Sequence, residues 1–401
     1  MEQLKKDYFD IIDNIDNEIV KIRHKIHAHP ELSGREKNTK SLVKNILEHY
    51  GYKVKEYPNH YGVTADLITK DGAKMVAIRG DMDALPITEK TGKPYASKIE
   101  GIMHACGHDA HTANLLGVAI GLKLLSQNHG LGGNFRFIFQ PSEESKEGGS
   151  IDMIKDGVLD GVDMILGLHV YPYLPTGQIG YKYGVMMASA DIFSIEIYGK
   201  TAHGARPHEG VDAILVSSMV VNALNHIVSR RIDPLHPAVI SLGTINGGKA
   251  SNIICDDVVV TGTVRTINEE VRKNIPIMME ESIKGICKSM GAKYKFSYQF
   301  GQPELINNNE IVDILVKEAK EIIGDKNTVN LIDPVMGGED FSEYLKIVSG
   351  SFFRLGTANH KKGTDYSQHN SMFDVDDDAL KIGMKILGAT GLEYLGVNHE
   401  K

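Results

Sequence analysis

Lys74-Met75-Val76-Ala77-Ile78-Arg79-Gly80-Asp81-Met82-Asp83-Ala84-Leu85-Pro86 is a short apolar run that breaks into glycine, two carboxylates and proline. The run reads as a strand, and Asp81 and Asp83 fall just past its end. Two more segments repeat the design. Asn134 to Phe139 alternates apolar residues and then gives Gln140-Pro141-Ser142-Glu143-Glu144, and Asp163 to Leu168 ends in His169. Helical spacing fills the rest: Ile12, Ile15, Ile19, Ile22 and Ile26 recur three and four apart, Leu42, Val43, Ile46 and Leu47 mark a helix closed by Gly51, and His111 to Leu125 makes another. These stripes predict core packing. Strands alternating with helices predict an α/β domain whose mostly parallel sheet carries helices on both faces, and in such sheets the loops beyond the strands' carboxyl ends line the ligand crevice.

The run Met103-His104-Ala105-Cys106-Gly107-His108-Asp109-Ala110-His111 puts a thiol, three imidazoles and a carboxylate into nine residues. Cys106 and His108, two apart with Gly107 permitting a bend, can converge on one ion, and thiolate with imidazole suits a zinc-like metal. Two donors do not complete a shell, so further ligands must come from elsewhere in the chain. The bland reading of the run is a solvated, His-rich turn.

Near Met186 the rhythm changes. Asp191 to Tyr198 reads as a strand, Val211 to Val228 as a helix, Ala238 to Thr244 and Asp257 to Arg265 as strands, Asn268 to Met290 as a helix and Lys293 to Phe300 as a strand. That βαββαβ order is the ferredoxin-like pattern and can fold as its own α+β unit. The predicted organisation is a larger discontinuous domain, 1–185 and 301–401, interrupted by a small inserted domain, 186–300.

Composition narrows the classes. The chain has 401 residues, 42% hydrophobic and 24% charged, normal for a soluble globule. A net charge of -8 argues against nucleic acid as a partner. The sequence shows no apolar run near the roughly 20 residues that span a bilayer. An acid-bearing N-terminus without an apolar core, and only three cysteines, point to a cytoplasmic, reducing location.

Gly80 to Pro86, His104 to Asp109, Gln140 to Glu144, Gly338-Glu339-Asp340-Phe341 and the late His369 together resemble the M20 metallopeptidase family. The likeness is closest to its amidohydrolase branch of hippurate hydrolases, aminoacylases, indole-acetyl-amino-acid hydrolases and N-acetyl-diaminopimelate deacetylases. It runs in order over nearly the whole chain. Two small departures, Ser142 where the branch often has Ala and Gln368 before the last His, are expected to touch no ligand.

The resemblance implies that the inserted domain, 186–300, is a lid or dimerisation domain and that the larger one, 1–185 with 301–401, is a zinc-peptidase-like catalytic domain in which Cys106, His108, Glu144, His169 and His369 bind two divalent ions, zinc, manganese or cobalt. Five side chains cannot give two ions separate four-coordinate shells, so a group such as the Cys106 thiolate, or a water, must bridge. Glu143 is expected to be the general base, and Asp83 to orient a ligating imidazole. In the inserted domain His203 resembles the residue that stabilises the oxyanion in a partner subunit's site, and Asn252, Arg265 and the outlying Gly338 resemble substrate contacts. The expected reaction is hydrolysis of a small N-acyl-L-amino acid by a homodimer. Deacetylation of N-acetyl-diaminopimelate and dipeptidase or carboxypeptidase action share its chemistry. A catalytically silent metal-binding or thiol-redox protein is the alternative from another class.

Overall fold

The computed structural model describes residues 1–145 and 148–396. They form two compact units. The first comprises Met1–Gly184, Ile306–Ile332 and the chain from Glu343 onward; the second comprises Val185–Leu305 and Asp333–Ser342. The segment containing Gly338 therefore packs within the second unit, whereas the sequence reading placed all of 301–401 in the first.

An eight-stranded sheet organises the first unit. Its spatial order is Val54–Glu56, Val63–Leu67, Asn134–Gln140, Met75–Asp81, Met164–Pro175, Gly350–Ala358, Ile179–Tyr181 and Thr328–Asn330. The four middle strands run parallel to one another. Met75–Asp81 is buried along its whole length, as a central strand covered on both faces must be. The helix His108–Ser126 is buried almost all round, because it lies between that strand and the helix Glu2–His27. Ile12, Ile15, Ile19, Ile22 and Ile26 of Glu2–His27 are indeed core.

Elements differ from expectation in several places, and the strands Val54–Glu56, Val63–Leu67, Ile179–Tyr181 and Thr328–Asn330 were not expected. The third strand continues through His169 to Pro175, so that histidine stands inside a strand. The helix expected from His111 begins at His108, which places His108, Asp109 and His111 in its first turn. Gly350–Ala358 lies in the middle of the sheet, where the sequence reading assigned no strand.

The second unit has a four-stranded antiparallel sheet in the order Ala238–Gly247, Asp257–Thr266, Ser189–Tyr198 and Lys293–Gln302, with helices Ala213–His226 and Glu269–Met290. Alternate residues of Ser189–Tyr198 are buried, the mark of a sheet with one covered face. The stretch Ala213–Arg231 has the length and apolar composition of a membrane span, where the sequence reading found no such run. Its Val216, Val220 and Leu224 are buried in this unit's core.

Candidate metal centre

Parallel strands that end together bring their following residues to one sheet edge. Asp81 closes the first of them, Gln140 the second, and His169 lies in the third. Between them sits the turn before the His108–Ser126 helix. Gly107 has φ +93°, and a Cβ there would lie 2.3 Å from Val170 Cγ2, so only glycine lets the Cys106 turn seat against the strand.

Hydrogen bonds fix the state of each imidazole. His108 Nδ1 pairs with Asp83 Oδ1 at 3.1 Å, while its Nε2 is buried with no hydrogen-bond partner. His111 Nε2 accepts the Val170 N–H at 2.9 Å, so its Nδ1 carries the proton and donates to Asp81 Oδ1 at 2.6 Å. Both nitrogens of His111 are committed. His169 Nδ1 donates to the Val170 carbonyl at 2.8 Å, and its Nε2 lies 3.5 Å from Cys106 Sγ. Burial, helped by His111 and Arg354, holds His169 well below the usual imidazole range, so it is a neutral donor. His104, the third imidazole of the run, is buried beside neither Cys106 nor His169 in any donor group, and burial pushes it down to about 4.

The five residues expected as ligands come together. Cys106, His108 and His169 each offer a donor atom within 4.8 Å of the others. Cys106, Glu144 and His369 do the same, as do His108, Glu143 and Glu144. His369 Nε2 lies 3.3 Å from Glu144 Oε1. Its backbone N–H is fixed to the Ala105 carbonyl at 2.8 Å, and its φ of +62° is a strained setting for a non-glycine residue. A buried imidazole nitrogen without a partner, beside a thiol, the neutral His169 imidazole and carboxylates, is a donor set that fits divalent metal.

Asp83 holds more than His108. Its Oδ2 accepts the Ser33 hydroxyl at 2.7 Å and the Glu144 backbone N–H at 3.0 Å. Ser142, at φ +57°, is fixed by Glu36, whose Oε1 accepts the Ser142 N–H at 2.8 Å and the Gly34 N–H at 3.0 Å. Burial pushes the Glu36 carboxyl up to about 7. Glu36 and Ser33 were invisible in the sequence, since nothing marks them there beyond their place in the loop between the helices Glu2–His27 and Lys37–His49. Gln368 corrects a sequence expectation: its Nε2 lies 3.6 Å from Cys106 Sγ, so this departure does touch an expected ligand.

In the second unit His203 is exposed on a two-residue strand paired with Ile253–Ile254, and its Nδ1 accepts the Ala205 N–H at 3.0 Å. Asn252 adjoins it through its carbonyl, which accepts the Gly204 N–H at 2.7 Å. Arg265 is half-buried and pairs across the sheet with Ala190. A Cβ on Gly338 would lie 2.8 Å from the Ala190 side chain and 2.4 Å from Gln302 Oε1. Within this unit His203 thus adjoins Asn252, while Arg265 and Gly338 each neighbour Ala190.

A thiol, imidazoles and paired carboxylates gathered at the carboxyl edge of a mostly parallel sheet define a metallohydrolase type of site. The chain belongs to the peptidase family M20/M25/M40, whose model matches residues 77–392. It is 41% identical to thermostable carboxypeptidase 1 of Saccharolobus solfataricus over 390 residues, 96% of each chain. It is 43% identical to an N-acyl-L-amino acid amidohydrolase of Geobacillus stearothermophilus over 310 residues, 77% of this chain and 82% of that one. Among solved structures, a dinuclear metal-binding peptidase of the M20 family from Bacillus subtilis superposes with a TM-score of 0.83 at 33% identity, covering 96% of this chain and 99% of that one. The chain is accordingly a hydrolase of the amidohydrolase and peptidase kind.

Proposed function

We propose that the chain hydrolyses the amide bond of N-acyl-L-amino acids, releasing a carboxylic acid and an amino acid, and that it holds two divalent ions through Cys106, His108, Glu144, His169 and His369. The observation that carries this reading is the convergence of all five donors in overlapping groups, with Cys106 and Glu144 each common to two of them. When bound, such ions polarise the amide carbonyl and acidify the attacking water. Glu143, buried beside His108 and Glu144, takes the proton from that water and delivers it to the departing nitrogen. Asp83 holds His108 in the tautomer that leaves Nε2 open, and its second oxygen fixes the backbone of Glu144.

Arg265 and Asn252, with Gly338 leaving room, are assigned to the substrate, Arg265 pairing its planar fork with the amino acid's carboxylate. His203, its Nε2 side exposed, is assigned to the oxyanion of a partner subunit's site. A homodimer through the inserted domain accounts for an exposed apolar surface there: Ile214, Leu215 and Met219 on the helix, and Val239 and Ile245 on the sheet's edge strand. Three unpaired cysteines suit a cytoplasmic setting.

Carboxypeptidase action is the second reading, favoured by the Saccharolobus relative. The two reactions break the same kind of bond, an amide whose nitrogen belongs to an amino acid with a free carboxylate. They differ in whether the acyl side is a simple acid or a peptide. Hydrolysis of acetyl-, benzoyl- and indoleacetyl-amino acids against dipeptides and N-blocked dipeptides, with protein stripped of metal and reloaded with zinc, manganese or cobalt, decides between them. Cleavage of the acyl amino acids is expected; turnover of peptides alone would replace the first reading by the second.

Cys106→Ala is expected to lose most of both ions, because one substitution removes a donor from each donor group it joins. Metal analysis after dialysis checks this. Two ions per chain with full turnover would take Cys106 out of the site.

A further inference from the structure

Gln368 departs from the family pattern, yet its carboxamide lies against two of the assigned ligands. Nε2 is 3.6 Å from Cys106 Sγ, 3.2 Å from His169 Nδ1 and 3.4 Å from His169 Nε2. The placement is not that of a loose surface side chain. Gln368 precedes His369, whose backbone is tied to Ala105, next to Cys106, and whose left-handed φ turns the loop over the thiol.

The chemistry of the three candidate acceptors selects one. His169 Nδ1 already donates its hydrogen to the Val170 carbonyl, so it has no lone pair for an amide N–H. His169 Nε2 faces Cys106 Sγ at 3.5 Å and is the atom left for metal. Sulfur remains, and an ionised sulfur is a far better acceptor than a thiol. Cys106 is buried with the Glu144 carboxylate nearby, so negative charge on it needs positive density from another direction.

We propose that Gln368 donates an N–H···S hydrogen bond to the Cys106 thiolate and so orients it and tunes its strength as a metal donor. The proposal rests on the reading of Cys106 as a ligand. Gln368 is thus a positioning residue for the centre. Because the bond strengthens when sulfur is charged, it favours the metal-loaded state over the metal-free thiol. Lowering the energy of the sulfur lone pairs also raises the energy needed to move an electron from sulfur to the metal, which an optical spectrum reads directly.

The test uses the full chain loaded with cobalt(II). Gln368→Met keeps the side-chain length and removes both donors; Gln368→Asn withdraws the amide by one methylene. Both variants are expected to shift the thiolate-to-cobalt charge-transfer band to longer wavelength and to weaken cobalt binding by about 10-fold, with the metal-free thermal midpoint unchanged. If either folded variant keeps the wild-type band and affinity, the hydrogen bond is refuted, and a rise in KM alone would place the amide against substrate instead. Cys106→Ser must abolish the band. A wild-type protein with no thiolate band would overturn the ligand assignment of Cys106, and the proposal with it, whereas an unmoved band overturns the hydrogen bond alone.

Discussion

Glu143→Gln is expected to keep metal and substrate bound while turnover falls by about 100-fold or more, the range associated with loss of general acid–base catalysis. The amide matches the carboxylate in shape but cannot take a proton from water. Glu144→Gln is expected to do the reverse and release metal. The contrast follows from the turn that carries both residues. Ser142 takes a left-handed conformation held by Glu36, and the Glu144 N–H is tied to Asp83, so two successive side chains reach the same place. Both come within 4.8 Å of a His108 nitrogen, but Glu144 also pairs with His369 and shares a group with Cys106. The thiol and imidazole among those neighbours are the ground for proposing Glu144 as the ligand and Glu143 as the base. Steady-state kinetics, metal analysis and calorimetric binding of a substrate analogue on both variants check the assignment. Metal loss from Glu143→Gln with retention in Glu144→Gln would exchange the two roles.

Strand ends were the legible part of this site. Lys74 to Arg79 and Asn134 to Phe139 are short apolar runs that stop at glycine, proline and carboxylates, and a run of that kind says both where a strand ends and what it delivers. The βαββαβ unit was legible for a related reason: its sheet has one covered face, so Ser189–Tyr198 alternates with period two. Gly350–Ala358 has no such alternation. It is buried on both faces in the middle of the sheet, with Arg354 and two glycines inside it, and close approach to neighbouring backbone demands those glycines: a Cβ on Gly350 would lie 2.3 Å from the Ile165 carbonyl oxygen.

Long-range polar partnerships were not legible at all. The helix Glu2–His27 carries its isoleucine stripe as read, but Arg23 on the same helix is fully buried and its guanidinium meets Asp109, Asp374 and Asp377. His27 beside it pairs with Asp109 at 2.8 Å; burial opposes its charging, but Asp109 and Glu89 outweigh this and push it up to about 9. Asp109 follows His108 directly, so the first helix braces the 106–108 turn as well as the core. Periodicity assigns a face to each residue of a helix, but it carries no information on which distant carboxylate will meet that face. Glu36 and Gln368 escaped for the same reason. Each acts on residues more than a hundred positions away, and only the folded chain shows the pairing.

His203→Ala is expected to cut kcat by about 100- to 1000-fold and to change KM far less. A donor aimed at the oxyanion gains its full interaction only as the tetrahedral charge forms, so its loss falls on the transition state. The local geometry supports such a donor. His203 Nδ1 accepts the Ala205 N–H, which puts the ring's proton on Nε2, and the side chain is exposed beside Asn252. If the histidine serves a partner subunit's site, two inactive chains should repair each other. Mixing His203→Ala chains with Glu143→Gln chains creates dimers in which one site has the base from the first chain and the imidazole from the second, and a random mixture holds that hybrid as half of its dimers. Activity approaching one quarter of wild type is then expected, since half the dimers carry one intact site of two. Differently tagged chains establish exchange and allow the hybrid to be isolated. An isolated hybrid that stays inactive would mean that His203 serves its own chain's site or none, and the inserted domain's apolar helix and edge strand would then need another explanation.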